Sequence, residues 1–148
     1  IAYDEIFANL IFLSNNRNKI KKIKKKFKKF KGIYSDKLIK SLPYMLTNGQ
    51  KKVISEINQD LKSNLRMFRI LQGDVGSGKT IIAKIVALNS IESGYQCGLM
   101  APTSILAEQH FKLLNKLIID SNLKIKIKLI TGKTDLKERK KNIARLRK

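Results

Sequence analysis

The sequence predicts an α/β fold, in which a partial parallel sheet is flanked by helices and preceded by a basic helical segment. From residue 43 onward, short apolar runs alternate with longer amphipathic runs at the spacing of βαβ units. A glycine-rich loop joins the first apolar run to the amphipathic run that follows it. Before Pro43 the chain is dominated by lysine, so we expect a basic helical linker over 1–42 and the α/β domain over 43–148.

Length and charge limit the possible functions. The 148 residues suffice for about one domain with its own core. The net charge of +21 favours a polyanionic partner such as nucleic acid. The indication is weak, because abundant Lys, Ile and Asn are also typical of an AT-rich genome. No apolar run reaches membrane-spanning length, so no membrane partner is expected. The single Cys97 fits a reducing cytoplasm, and both ends resemble cuts inside a longer protein.

Helices are predicted where apolar residues recur at intervals of three or four positions. The N-terminal region follows this pattern, and its stretch 17–31 holds ten cations and no acid. We expect one helix that ends at Gly32 and has at least one solvated basic face; whether that face touches DNA stays open. A short helix over 35–41 follows. Thr47 and Gln50 then form the capping-box pattern that begins the next helix.

Three short strands are predicted in the α/β domain. They are "MFRILQ" (67–72), "QCGLMAP" (96–102) and "KIKIKLITG" (124–132). The second does not alternate and should be buried on both faces, whereas the third alternates Lys with Ile or Leu and should have one wet face. Amphipathic runs predict helices over 79–94, with Gly94 as the stop, over 103–120, and from near Asp135 onward.

The loop GDVGSGKT matches the phosphate-binding pattern G-x-x-x-x-G-K-[ST] in full. Its glycines let successive N–H groups turn toward phosphate oxygens, and the following helix adds its free N–H groups and dipole. Lys79 should reach the β- and γ-phosphates, and Thr80 can place its hydroxyl on Mg²⁺. The predicted nucleotide-binding residues are Gly73, Asp74, Val75, Gly76, Ser77, Gly78, Lys79 and Thr80, with Lys79 and Thr80 in the catalytic role.

The second half of a hydrolytic site is not found in the sequence. Hydrolysis needs another carboxylate for Mg²⁺, normally at the end of a later apolar strand, and a residue that positions water. Asp4 and Glu5 precede the loop on a helix, and Asp120 ends a helix. No arginine finger is apparent. The loop alone therefore leaves kinase, GTPase, transporter ATPase and helicase open.

The order and spacing of "LTNGQ", "GDVGSGKT" and "APTSILAEQH" narrow the choice. Together with "AYDEIFANLIFL" and "LITG", they resemble the first motor lobe of superfamily 2 helicases, and most closely the RecG family of ATP-dependent branch-migration helicases. The resemblance implies a RecA-like P-loop NTPase lobe, with residues 1–42 as the helical linker between wedge and motor domains. Two departures are small: Ser104 stands where the family often has Glu, and "NLRMFR" lacks a proline.

Roles follow from the resemblance position by position. Gln50 matches the glutamine that reads adenine, although its place in the capping box is an equal alternative. Ala101, Pro102 and Thr103 match a motif that grips a DNA backbone, and Thr131 with Gly132 matches a further strand-end DNA contact. The plain alternatives are a helix cap at Thr103 and a strand-to-helix turn at Thr131. Gln109 and His110 complete the first motif, but a direct role for His110 is the weaker interpretation.

The resemblance implies an ATP-dependent DNA helicase that remodels stalled forks and branched recombination intermediates by branch migration. Expected cofactors are ATP and Mg²⁺. Expected partners are branched DNA, a second motor lobe and a wedge domain, and the expected location is the bacterial cytoplasm, associated with the nucleoid. The remaining motor motifs are expected beyond Lys148. Alternatives are a transcription-repair coupling translocase, a basic DNA-binding module switched by nucleotide, and a small-molecule P-loop kinase.

Overall fold

The computed structural model describes residues 2–21, 23–25 and 29–146. In these ranges six helices follow one another: α1 (Ala2–Lys21), α2 (Ile33–Ser41), α3 (Asn48–Lys62), α4 (Lys79–Glu92), α5 (Ser104–Asp120) and α6 (Leu136–Leu146). The chain forms two compact units. The first comprises Ile1–Lys29 and Thr47–Val86, and the second comprises Phe30–Leu46 and Ala87–Lys148. No helix in the described ranges has the length and apolar character needed to cross a bilayer.

The N-terminal helix is shorter than predicted. It ends at Lys21, and residues 23–25 instead form an isolated antiparallel bridge in which Lys24 pairs with Leu65. The Lys25 N–H donates to the Asn64 carbonyl at 2.7 Å, and the Arg66 N–H donates to the Ile23 carbonyl at 3.1 Å. The prediction of one helix up to Gly32 is therefore wrong. Crowded like charges weaken a helix, whereas the bridge gives these backbone groups partners. Lys22 and residues 26–28 of the basic run lie outside the described residues.

Helix α3 begins as the sequence predicts. The Thr47 hydroxyl accepts from the Gln50 N–H, and the Gln50 side chain accepts from the Thr47 N–H, which completes the capping box. The apolar residues on one face of α3 are buried, and so are the apolar residues on one face of α4. The core of the first unit includes Ile54, Ile57, Leu61, Ile81, Ile82 and Ile85.

Helix α4 also follows its prediction, beginning at Lys79 in the glycine-rich loop. Past its last turn, Gly94 takes a left-handed φ of 82° and donates its N–H to the Ile91 carbonyl at 2.9 Å. One residue on the buried face departs from the apolar pattern. Lys84 is only 6% exposed. Burial lowers the pKa of Lys84, because desolvation disfavours the charged form.

The second unit packs α2 against α5. Leu38, Leu46, Ile118 and Leu123 are among its buried apolar residues. The hydroxyls of Ser41 and Ser121, one at the end of each helix, lie 2.8 Å apart and share a hydrogen bond. The predicted helices over 35–41 and 103–120 and the predicted start of the last helix near Asp135 are all confirmed to within about two residues, the usual scatter of helix ends.

The three predicted strands do not pair in the described residues, where the only bridge is that of Lys24 with Leu65. The prediction that 96–102 is buried on both faces is wrong, since Leu99 is 51% and Met100 is 95% exposed. A strand is buried on both faces only inside a sheet, and within the described residues no other backbone pairs with 96–102. The lysines of 124–128 are exposed while Ile125 and Ile127 are half-buried, as the alternating pattern predicts.

Candidate nucleotide-binding site

The glycine-rich loop forms a tight turn that leads directly into α4. The Ser77 N–H donates to the Asp74 carbonyl at 3.2 Å and closes the turn. Gly76 and Gly78 have φ values of 83° and 86°, which only glycine adopts without strain. The Gly78 carbonyl then accepts from the N–H groups of Ile81 and Ile82, which starts the helix. The first N–H groups of α4 therefore have no partner within the helix and are available to an anion.

Lys79 is folded back over this loop. Its ammonium group donates to the Gly73 and Asp74 carbonyls, both at 2.6 Å. The side chain is thus held above the turn by two acceptors that a phosphate oxygen could replace. Thr80 follows as the second residue of α4 and is exposed, so its hydroxyl is accessible to a metal ion carried by the nucleotide. No cluster of three metal-ligating side chains occurs within the described ranges.

Gln50 joins α3 to the loop. Its Oε1 accepts from the Thr47 N–H at 3.0 Å, while its Nε2 donates to the Ser77 carbonyl at 3.0 Å. One carboxamide therefore completes the capping box and also contacts the loop. A Cβ at Gly78 would collide with the Gln50 Nε2, so a larger residue there would displace the Gln50 side chain as well as strain the φ. The capping alternative for Gln50 is correct as geometry, and the same side chain also contacts the loop backbone.

The residues matched to DNA contacts lie in the second unit. The Thr103 hydroxyl accepts from the Leu106 N–H at 3.3 Å and caps α5, so the capping interpretation is correct as geometry. Pro102 and Thr103 are both exposed. Thr131 forms a turn in which its N–H donates to the Thr134 hydroxyl at 2.8 Å and its carbonyl accepts from the Thr134 N–H at 3.1 Å. Nothing lies within 4 Å of a Cβ placed on Gly132, so this turn is open to a ligand.

His110 is half-buried on α5. Its Nδ1 is buried and has no hydrogen-bond partner among the described residues. Within the described ranges no cluster of three metal-ligating side chains includes it. The structure therefore adds nothing to the weak prediction of a direct role for His110.

The sequence did not predict three sets of polar side-chain contacts. The Glu92 carboxylate accepts three backbone N–H groups, from Lys31 at 2.7 Å and from Gly32 and Tyr34 at 3.0 Å. A signal existed, since an acid in the last turn of a helix opposes the helix dipole unless donors compensate it. The other two sets of contacts are in the first unit. Lys25 donates to the last carbonyls of α3, and Arg69 pairs with Glu56 at 2.9 Å and with Asp60 at 2.8 Å.

A complete G-x-x-x-x-G-K-[ST] loop that enters a helix, with its lysine bonded to the loop carbonyls and a glutamine touching its backbone, is typical of a P-loop NTPase. Comparison with known proteins narrows this class. The family model of the DEAD/DEAH box helicases matches residues 47–147. The chain belongs to the DEAD/DEAH box helicase family.

Within this family the chain is similar to bacterial proteins named ATP-dependent DNA helicase RecG. It is 41% identical to that of Borreliella burgdorferi over 99% of this chain and 21% of the relative. It is 40% identical to that of Thermotoga maritima over 95% of this chain and 18% of the relative. A solved structure of RecG bound to a three-way DNA junction superimposes with a TM-score of 0.83 at 38% identity, covering 99% of this chain and 20% of that one. The chain thus spans about a fifth of the length of these relatives.

Proposed function

We propose that the chain is the linker and the N-terminal part of the first motor lobe of a RecG-type helicase. In this proposal ATP binding and hydrolysis drive movement on DNA that remodels stalled forks and branched recombination intermediates by branch migration. The single observation that carries the proposal is the contact of Gln50 with the Ser77 carbonyl, because it puts the side chain proposed to read adenine beside a complete phosphate loop. The similarity to RecG proteins over almost the whole chain supports it.

ATP and Mg²⁺ are the proposed cofactors, and the loop fits a triphosphate. Lys79 would exchange the Gly73 and Asp74 carbonyls for β- and γ-phosphate oxygens, so its charge would remain compensated throughout. The free N–H groups at the start of α4 would bind the same phosphates, and the Thr80 hydroxyl would hold the metal ion. Gln50 could contact adenine through its carboxamide, since a carboxamide can make paired hydrogen bonds to the adenine edge.

Branched DNA is the proposed macromolecular partner, contacted through its backbone. Pro102, Thr103, Thr131 and Gly132 are exposed or adjoin an open turn, and hydroxyls with N–H groups at helix starts are common phosphate ligands. The similar RecG structure has a three-way DNA junction bound to it, which supports this choice of partner. A second motor lobe and a wedge domain are the other proposed partners, and they would supply the rest of the DNA path and of the ATP site.

The division of the chain into a linker and a motor lobe is also part of the proposal. Residues 1–42 would be the linker and 43–148 the motor lobe, with the three unpaired segments joining a parallel RecA-like sheet in the complete lobe. Their exposed apolar residues, such as Ile70 and Met100, are what such strands would bury. A bacterial cytoplasmic, nucleoid-associated location fits this function.

The alternative function from another class is a basic DNA-binding module that nucleotide binding switches on or off. A helicase hydrolyses ATP in response to DNA, whereas such a module need only bind the nucleotide, so DNA-stimulated hydrolysis distinguishes the two functions. The test is a chimera in which this chain replaces the matching segment of the Thermotoga maritima RecG. We expect ATP hydrolysis stimulated by fork DNA, and loss of hydrolysis in the same chimera with Lys79→Ala. A chimera that folds and binds nucleotide, yet shows no DNA-stimulated hydrolysis, would favour the switched module.

Nucleotide binding is tested on the 148-residue chain itself. We expect weak binding of a fluorescent ATP analogue with Mg²⁺, because one lobe supplies only part of the contacts. Lys79→Ala should weaken it at least tenfold, since a charge-assisted contact contributes about 1.5–3 kcal/mol. Lys52→Ala, an exposed cation on α3, is the matched control and should leave binding unchanged. Equal affinity of both variants would contradict the assigned role of the loop.

A further inference from the structure

Helix α6 and the turn before it are the most cationic described segment outside the N-terminal region. Three of its cations lie four residues apart and are exposed: Lys137, Lys141 and Arg145, here called the α6 ridge. Residues at this spacing lie one above the other on a helix, with a rise of about 6 Å per step, so the ridge extends about 12 Å. The buried residue of this helix, Asn142, belongs to a different face.

The acids of this segment do not neutralise the ridge. Asp135 accepts from the Lys137 backbone N–H at 3.1 Å through its Oδ2, so its carboxylate serves the start of α6. Glu138 faces Lys128, with an Nζ–Oε1 distance of 3.9 Å. No ion pair of a ridge side chain occurs among the described residues. An uncompensated row of cations is repulsive unless an anion lies against it.

The structure therefore points to a phosphate-binding ridge, and we propose that Lys137, Lys141 and Arg145 bind the backbone of one DNA strand. This rests on the proposed function, because Thr131 and Gly132, the nearest proposed DNA contacts, precede α6 by only a few residues. A DNA strand presents a phosphate about every 3.4 Å of helix axis, so a row of about 12 Å can meet three or four phosphates.

The surroundings favour nucleic acid over an anionic membrane. A helix that lies on a membrane presents a broad apolar face opposite its basic one. On α6 the exposed large apolar residues are Leu136 and Ile143 only, within the described part of that helix. Backbone contacts of this kind carry no sequence information, so the α6 ridge would add affinity and orientation and no base preference.

The test is the salt dependence of binding between the 148-residue chain and a fluorescent fork DNA. The ridge variant is Lys137→Gln, Lys141→Gln and Arg145→Gln together. Each lost phosphate contact makes the negative slope of log K against log salt shallower by about 0.9, so the slope of the ridge variant should be shallower by about 2.7. The matched control carries Lys112→Gln, Lys116→Gln and Lys124→Gln, three exposed cations of the same unit, and its slope should stay near the wild-type value. Circular dichroism checks that both variants keep their helices.

A slope change confined to the ridge variant supports the proposal, while equal changes in both variants mean that only total charge matters and overturn it. An unchanged ridge variant with normal wild-type binding overturns the ridge alone and leaves the proposed function intact. Wild-type protein with no affinity for fork DNA overturns both. If the ridge substitutions weaken binding to vesicles containing phosphatidylserine but not to DNA, the ridge serves a membrane and the proposal is wrong.

Discussion

Removing the Glu92 carboxylate should loosen the segment 30–34 from the end of α4. In the structure one Glu92 oxygen accepts the N–H groups of Lys31 and Gly32, and the other accepts that of Tyr34. A hydrogen bond to a charged group contributes about 1.5–3 kcal/mol when buried, and these groups are partly exposed. Three such bonds, discounted for solvent, should contribute about 2–4 kcal/mol, so Glu92→Ala should lower the free energy of unfolding by that amount.

Thermal unfolding followed by circular dichroism measures this effect. For a protein of this size 1 kcal/mol corresponds to about 2–4 °C, so Tm should fall by about 4–16 °C. The Tm of Glu92→Gln should lie between those of the wild type and Glu92→Ala, because its amide oxygen can still accept a hydrogen bond while its amide nitrogen must face a donor. Asp120 is the matched control, because it too is an acid in the last turn of a helix, but it forms no hydrogen bond in the described residues. If Glu92→Ala and Asp120→Ala have the same Tm, the three backbone contacts do not stabilise the protein.

Three further changes have directions that follow from the structure. Lys84→Met should stabilise the chain by about 1 kcal/mol near neutral pH, because burial of the Lys84 side chain disfavours its charged form. As the pKa of Lys84 is lowered on folding, wild-type stability should rise with pH between the folded pKa and about 10.5, and the advantage of the Met variant should shrink there. Lys25→Met should cost about 0.5–1.5 kcal/mol, since its ammonium group donates to the last carbonyls of α3. Gly78→Ala should strain the loop by about 1–2 kcal/mol, displace Gln50 and weaken binding of the ATP analogue.

Neighbouring positions supply the controls. Urea unfolding measures the effect of Lys25→Met on the free energy of unfolding. Lys24 pairs through its backbone and its side chain is exposed, so Lys24→Met should leave that free energy unchanged. Gly76 has the same left-handed φ as Gly78, but a Cβ placed on it would meet no atom within 4 Å, so Gly76→Ala isolates the strain from the collision. Equal losses of nucleotide affinity in Gly76→Ala and Gly78→Ala would rule out a part for Gln50. A Met variant of Lys84 that unfolds more easily than wild type would mean that the amine has a stabilising contact.

The nucleotide loop could be predicted because its chemistry is local. Glycine at two left-handed positions, a lysine and a threonine suffice to fix the turn and the start of α4, and few other sequences satisfy those backbone requirements. The helices could be predicted for the same reason, since the Thr47 capping box and the Gly94 stop each act over a few residues. The predicted end of α1 was wrong, because helix propensity and apolar periodicity carry no information about a pairing partner far along the chain, such as Leu65.

The sequence by itself determined the starts of helices α2 to α6, the phosphate loop and the excess of positive charge. Only the tertiary structure decided that Gln50 bonds to Ser77, that Glu92 binds the segment before α2, and that Lys84 lies on a buried face of α4. These contacts join residues far apart in the chain, and no local pattern encodes them. The same reason applies to the strands at 67–72, 96–102 and 124–132. Their composition suits a sheet, but a strand exists only when another backbone pairs with it.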